Sequence, residues 1–263
     1  MKNNIHLWQI EVVAWRPDLN LKEILKSIKN TPAWDLLILP EMAIPGYMIW
    51  DNWKSNSFIK ECFEMNQDIL DELKINWNSA IWGNISFDEN AKNNDWSIKK
   101  FNSAFVAQNG ELLKVYNKVL LPNYRMFDDK RYFSSWIEGL DKEEILKYFS
   151  PVELEIAWVK QKVSVLICED IWNINWDYDI DPVALSKSHN PDLIAVPSCS
   201  PFGLNKANFR NKLLQNQSRN TTIAYVNPIW TQDNWKNIFA FDGWSAIYEN
   251  WNFVKWIKDF TTS

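Results

Sequence analysis

The rhythm of apolar and polar positions divides the chain into short segments. Residues 5–13 read as a first strand. Asn20, with Glu23 three residues on, is an N-cap signal for a helix over 21–30. Leu36-Leu37-Ile38-Leu39 reads as a buried strand stopped by Pro40. After a loop at 40–47, a helix is expected over 57–73, with Phe58, Cys62, Met65, Ile69 and Leu73 on one face. Strands follow near 80–87, 103–108 and 112–116, the last two joined by an Asn109-Gly110 hairpin. A long polar and aromatic loop runs over 117–133. Beyond it the pattern gives strands at 152–157 and 162–168, a helix at 182–188, a strand at 193–196 and a helix at 207–220. Strands at 223–226, 238–241, 245–249 and 253–255 close the chain. Alternating strands and helices followed by a meander predict an α/β fold with mixed sheets. With no internal repeat, low-complexity tract or interdomain linker, residues 1–263 are expected to form a single domain.

Composition narrows the class. No stretch approaches the roughly 18 apolar residues of a membrane span. The start, Met1-Lys2-Asn3-Asn4, lacks the apolar core of a signal peptide. A net charge of −5 with no basic run argues against nucleic acid or an anionic membrane as partner. The cysteines, Cys62, Cys168 and Cys199, are odd in number and form no Cys-x-x-Cys, so neither a disulfide framework nor a metal site is expected. A reducing, cytoplasmic setting follows.

One composition figure is abnormal. Glycine averages roughly 7% of residues, yet the chain holds 6 glycines beside 17 tryptophans. An ordinary allotment of glycine with a few tryptophans accounts for the two together. Asn-Trp recurs at 52–53, 76–77, 175–176, 234–235 and 250–251, and Asp95-Trp96 adds a case. Asn-Gly and Asp-Gly are strong turn signals; Asn-Trp has no such physics. A bulky ring at a φ > 0 turn is strained. Many of these tryptophans are therefore expected to be glycine in the living cell, from a UGA codon that some bacteria read as glycine. The alternative is an unusually tryptophan-rich protein.

Three polar groups sit where strands run out into loops: Glu41, Lys118 and Cys168. Strand ends are where α/β folds place chemistry. A cysteine there is either a nucleophile or one more buried thiol. Its base is not readily a histidine, because His6 lies within the first strand and His189 at a helix end. A carboxylate base with a lysine partner is what these residues offer. Taken singly, Glu41 also reads as a loop cap and Lys118 as a solvated lysine.

Leu39-Pro40-Glu41, Asn117-Lys118-Val119-Leu120-Leu121-Pro122-Asn123-Tyr124 and Leu166-Ile167-Cys168-Glu169-Asp170 resemble, in order and separation, the three signatures of the nitrilase (carbon–nitrogen hydrolase) superfamily. More narrowly they resemble the glutaminase domain of glutamine-dependent NAD synthetase. The stretch 121–133 is the most specific match; Pro45-Gly46-Tyr47, Ser200-Pro201-Phe202 with Lys206, and Phe241-Asp242-Gly243 also fit. The resemblance spans nearly the whole chain. The family pattern has glycine where this chain has Trp15, Trp34, Trp50, Trp77, Trp235 and Trp251, whereas Trp53 and Trp82 look like true tryptophans.

The resemblance implies a four-layer α-β-β-α sandwich of two mixed sheets and a Glu41–Lys118–Cys168 triad. Glu41 would take the thiol proton. Lys118 would favour thiolate and oxyanion beside the backbone N–H of Glu169. A thioester would form, an amine leave, and water release the acid. Tyr124 and Glu169 would line the pocket, and Ser200 and Lys206 would hold the amino-acid end of glutamine, Lys206 against its carboxylate. The serine equally reads as a turn residue before Pro201. Asp129 stands where many relatives carry Glu, one methylene longer, which puts its contact with Lys118 in question. Asn205 occupies a frequent glycine position. The implied activity is hydrolysis of glutamine to glutamate and ammonia for NAD synthesis, with no cofactor at the amidase step and ATP needed only by a synthetase. A homo-oligomer is implied as well. Fused family members continue into an ATP-binding synthetase domain with a Ser-Gly-Gly-type loop that this chain lacks. The chain is then a fragment, the partner of a separate synthetase subunit, or a stand-alone amidase acting on another small amide. A non-catalytic scaffold is the remaining alternative, and the intact Glu41, Lys118 and Cys168 argue against it.

Overall fold

A computed structural model of the chain describes residues 4–93, 96–173, 177–233 and 236–257. In chain order its first half holds β1 (Ile5–Leu7), α1 (Pro17–Asn30), β2 (Leu36–Ile38), α2 (Asn56–Glu64), α3 (Asn66–Asn76), β3 (Ser79–Lys92), β4 (Ile98–Gln108) and β5 (Glu111–Asn117). The second half holds α4 (Lys142–Tyr148), β6 (Val152–Ile156), β7 (Val159–Val165), α5 (Pro182–Ser188), β8 (Leu193–Pro197), α6 (Lys206–Gln217) and β9 (Thr222–Val226). It closes with β10 (Ile229–Asp233), β11 (Ile238–Asp242), β12 (Ala246–Glu249) and β13 (Asn252–Trp256).

Two mixed sheets result. One has the order β1-β2-β3-β4-β5, parallel from β1 to β3 and antiparallel beyond. The other has the order β13-β12-β9-β8-β7-β6, parallel only across β7, β8 and β9. β10 and β11 form a separate ribbon.

Period-two alternation sets the layers, because successive strand side chains point to opposite faces. Leu36 and Ile38 join Ile81, Val106, Val165 and Ala195 in a core between the sheets. Leu37 and Leu39 face the other way, into a core with Ile24 and Ile28 of α1 and Ile69 and Leu73 of α3. On the far side, Ile194, Val196, Ile223 and Tyr225 pack with Val183 of α5 and Leu213 and Leu214 of α6. Three apolar layers separate four structural ones, the α-β-β-α sandwich.

Several elements depart from the pattern read along the sequence. The helix expected over 57–73 breaks at Met65 into α2 and α3. The break buries Asn66, whose Oδ1 accepts from Trp82 Nε1 at 2.8 Å and Asn84 Nδ2 at 2.9 Å. Asn20 is not an N-cap. α1 starts earlier, with Pro17 in its first turn, and Asn20 lies inside it, clamping Val13 and the Ile44 carbonyl. The first strand ends at Leu7, and the following residues turn toward β10, where Ile229 N–H donates to Ile10 O at 3.1 Å. The strand expected over 162–168 ends at Val165. α4 has no signature in the apolar pattern because it buries none of its residues, although Asp141 and Glu144 form a capping box. The Asn109-Gly110 hairpin forms as expected, both residues having positive φ (53° and 84°).

Most of the tryptophans expected at turns adopt left-handed backbone; Trp53, after Asn52, does not, and Trp176 lies outside the described residues. φ is 72° at Trp15, 67° at Trp34, 47° at Trp50, 54° at Trp77 and 62° at Trp251, and the same region holds Trp96, Trp158, Trp230 and Trp244. Trp235 lies outside the described residues. The indole Nε1 atoms of Trp15 and Trp50 are buried with no hydrogen-bond partner among the described residues. Trp53 and Trp82 differ: both are buried in ordinary backbone, and Trp82 donates to Asn66.

Candidate active site

The site is built where strands of both sheets end. β2 leads through Leu39-Pro40 to Glu41, a loop that crosses directly over β3. Only glycine fits beneath it: a Cβ on Gly83 would stand 2.2 Å from Met42 N and 2.5 Å from Pro40 O. β5 ends at Asn117, so Lys118 points inward from the next position. Glu41 and Lys118 are each 1% exposed, with Lys118 Nζ 2.8 Å from Glu41 Oε1. Asn102 of β4 reaches the same oxygen, its Nδ2 donating at 2.7 Å, and accepts the Lys118 N–H at its own carbonyl at 2.7 Å. Glu41 Oε2 accepts from Cys199 N–H at 2.8 Å.

Asp129 completes the lysine's surroundings. Its shorter side chain does reach Lys118: Nζ lies 3.0 Å from Oδ2. Tyr47 donates its hydroxyl to Asp129 Oδ1. Burial works against the charge on Lys118, but Asp129 and Glu41 outweigh it and hold the ammonium well above its ordinary pKa. Asp129 is pushed up by burial despite the lysine. Behind them, Gln232 of β10 accepts from Tyr47 N–H and Met48 N–H at 3.0 and 3.1 Å and donates to Cys199 Sγ at 3.4 Å.

Cys168 lies beyond the end of β7, as the first residue of a 3₁₀ turn, Cys168–Ile171. Its φ of 44° is unusual for a residue with a side chain, as at tight strand-to-helix turns that expose a reactive group. Asp170 braces the turn. Its carboxylate accepts from Val119 N–H, Leu120 N–H and Ile167 N–H at 3.1, 2.8 and 2.9 Å, tying the segment after Lys118 to the segment before Cys168. The thiol is 8% exposed. Burial first, and then the charge of Glu41, push its pKa far above the usual thiol range, while Lys118 and the Cys199 N–H pull it back. One backbone amide thus acts on both the thiol and Glu41.

Cys168 and Lys118 open on a cavity of about 320 Å³ that is also lined by Tyr124, Glu169, Ser200 and Lys206. Six of the seven site residues expected from the sequence therefore line one space, and Glu41 is bonded to one of them, Lys118. Tyr124 and Tyr178 donate their hydroxyls to Glu169 at 3.0 and 2.9 Å. Burial raises the pKa of Glu169 and lowers that of Lys206. Lys206 Nζ donates to Pro201 O at 3.1 Å, and Ser200 is held by its N–H on Asn227 Oδ1 at 2.7 Å.

The sequence reading passed over Asn102, Tyr178, Asp170 and Gln232. Their signal is a polar residue inside or beside an apolar run, since a buried polar group needs a partner. The histidines stand elsewhere: His6 pairs with Asp35, and His189 contacts Leu146 O. Among the described residues no cluster of three or more His, Cys, Asp or Glu side chains is arranged to hold a metal ion, and no helix is long and apolar enough to cross a membrane.

Loops from two face-to-face sheets that enclose a buried acid, lysine and cysteine put the protein among the hydrolases. Residues 5–180 match the carbon-nitrogen hydrolase family, and the chain belongs to that family. It is 32% identical over 235 residues to the glutamine-dependent NAD(+) synthetase of Thermotoga maritima, a match covering 88% of this chain and 35% of the relative. The corresponding protein of Acinetobacter baylyi is 30% identical over 218 residues, covering 81% of this chain and 34% of the relative. The chain thus spans about a third of the length of the curated relatives it matches. The solved glutamine-dependent NAD+ synthetase from Acinetobacter baumannii superposes over 98% of this chain and 44% of its own, with a TM-score of 0.75 and 26% identity. An amidase from Nesterenkonia sp. superposes over 98% of this chain and 87% of its own, with a TM-score of 0.74; at 18% identity the two share the fold.

Proposed function

We propose that the protein hydrolyses the side-chain amide of glutamine to glutamate and ammonia through a thioester on Cys168, and that the ammonia serves NAD synthesis by a synthetase domain or subunit. The observation that carries the reading is the presence of both Glu169 and Lys206 in the lining of the cavity that Cys168 and Lys118 open on. A carboxylate and an ammonium on one small cavity match the α-ammonium and α-carboxylate of an amino acid. Glu169, fixed by two tyrosine hydroxyls, accepts from the substrate ammonium, and Lys206 pairs with its carboxylate.

The amide carbon then lies against the sulfur. Burial and the negative charge of Glu41 both work against the Cys168 thiolate. The thiol proton passes to Glu41 as sulfur attacks the carbonyl carbon. Lys118, charged at any physiological pH, faces the developing oxyanion with the Glu169 N–H as a second donor. As the C–N bond breaks, Glu41 returns the proton to the leaving nitrogen, and ammonia departs. Glu41 next takes a proton from water, which opens the thioester and frees glutamate and the thiol.

A second reading, an amidase for another small amide, draws on Lys206: its Pro201 O contact and lowered pKa make it a weaker clamp for a carboxylate. Ammonia release measured on glutamine and on simple aliphatic amides separates the two. Turnover of glutamine, lost in Cys168→Ala and raised at least tenfold in KM by Lys206→Met, is the expected result. Equal turnover of amides lacking the amino-acid end, unaffected by Lys206→Met, would favour the second reading.

A further inference from the structure

We infer that Asn102 is a positioning residue for the base: it ties down one oxygen of Glu41 so that the other alone carries the proton between sulfur and leaving group. The inference rests on the roles of Glu41 and Cys168 proposed above.

The two oxygens of Glu41 stand in different surroundings. Oε1 receives both Lys118 Nζ at 2.8 Å and Asn102 Nδ2 at 2.7 Å. Oε2 receives only the Cys199 N–H at 2.8 Å among the hydrogen bonds of the described residues. That same N–H acts on the Cys168 thiol. Oε2 is therefore the oxygen that shares a donor with the thiol and has lone-pair capacity left for a proton. Two donors on Oε1 hold its electron density away from proton transfer and fix the rotation of the carboxylate.

Asn102 is poorly explained as structure alone. It is 1% exposed, and its Oδ1 is buried and accepts no hydrogen bond from the described residues. A packing role is served better by an apolar side chain, which buries no unmatched acceptor. The amide orientation is fixed by chemistry, since the flipped amide would set Oδ1 against a carboxylate oxygen. The same residue accepts the Lys118 N–H at its carbonyl, so one position on β4 sets the spacing of base and lysine.

In the step concerned, the S–H bond of Cys168 breaks, the proton joins Glu41 Oε2 and the sulfur pair attacks carbon. The charged and titratable groups facing Glu41 are Lys118, Asp129, Tyr47, Cys168 and Cys199. None of them changes with the substitution, so a shift reports the lost donor.

The test is the rate of Cys168 alkylation by iodoacetamide as a function of pH, read by peptide mass, in wild type, Asn102→Leu and Asn102→Asp. Cys62 is buried away from the site and serves as the internal reference. No glutamine is needed, so failure to hydrolyse glutamine would sink the proposed substrate and leave this inference standing. Loss of one hydrogen bond to a charged group is expected to move the acid limb of the Asn102→Leu profile up by about one pH unit and to slow alkylation about tenfold at pH 7. Asn102→Asp, which keeps the shape but places a second carboxylate on Oε1, moves the limb further in the same direction. Hydrolysis by either variant loses kcat rather than KM. Profiles that keep the wild-type limb in a folded Asn102→Leu overturn the inference. If that variant does not fold, an unmoved limb in Asn102→Asp does the same.

Discussion

At the scale of single residues, the backbone separates two kinds of tryptophan. Those at 15, 34, 50, 77 and 251 hold a left-handed φ that costs an L-residue about 1–2 kcal/mol and costs glycine little. Trp34, Trp77 and Trp158, all left-handed, crowd together, with ring centroids 4.1 Å apart for Trp34–Trp158 and 5.8 Å for Trp34–Trp77. Trp77 and Trp158 are mostly exposed, so replacing them removes little buried surface. Trp77→Gly and Trp158→Gly are expected to stabilise the fold by about 1 kcal/mol each, measured by urea unfolding. Trp82→Gly, emptying a packed site, is expected to cost about 3–5 kcal/mol. The gene carries the matching expectation: UGA at the left-handed positions and UGG at Trp53 and Trp82. Tryptophan recovered at 15, 34 and 77 in peptides of the protein from its own organism would end the glycine reading.

At the scale of elements, Asp170 braces the turn that presents Cys168, and its pKa of about 7, raised by burial, gives the brace a pH signature. An unfolded aspartate titrates near 4. Between about 4 and 7 the folded chain keeps a proton that the unfolded chain has released, so this residue's contribution to stability falls as pH rises through that window. Asp170→Asn removes the slope. The stability of wild type minus that of the variant is expected to be about 2 kcal/mol smaller at pH 8 than at pH 5 in urea titrations; a difference independent of pH would contradict it. Loop placement belongs to the same scale. Gly83→Ala drives a methyl into the Pro40–Met42 backbone and is expected to displace Glu41, lowering kcat by at least a hundredfold while the far-UV circular dichroism stays native.

Elements also decide what the sequence could disclose. Leu36-Leu37-Ile38-Leu39, both faces buried, and the Asn109-Gly110 turn announce themselves by local physics. Glu41, Lys118 and Cys168 stand out locally only as polar residues where strands run out, and their reading as a triad comes from the family resemblance. Asn102, Asp170 and Gln232 look like ordinary polar positions until strands from distant parts of the chain are set side by side. The break at Met65 and the interior position of Asn20 are likewise tertiary: Asn66 bends toward Trp82 and Asn84, and Asn20 clamps a loop twenty-four residues away. Local periodicity carries no record of those partners.

At the scale of the whole molecule, the groups of the candidate site are divided between the two sheets. Glu41 and Lys118 hang from β2 and β5; Cys168 and Cys199 hang from β7 and β8. The sheets pack face to face through the apolar core between them, and the Glu41 N–H also donates to Ser198 O at 3.3 Å across the site, so that core helps to set the distance between sulfur and base. The core beneath α1 and α3 lies on the other face of the first sheet, with Ile28 packed under the helices. Two truncations of equal size should therefore part company. Ile81, in the inter-sheet core, and Ile28, in the helix-facing core, are both fully buried. Each Ile→Ala change is expected to cost about 2–5 kcal/mol. At a temperature where both variants are folded, Ile81→Ala is expected to lose at least tenfold in kcat as the sheets relax toward the cavity, and Ile28→Ala to keep kcat within twofold of wild type. Equal losses of activity at equal losses of stability would mean that the site senses only how well the protein is folded, and not the spacing of its two sheets.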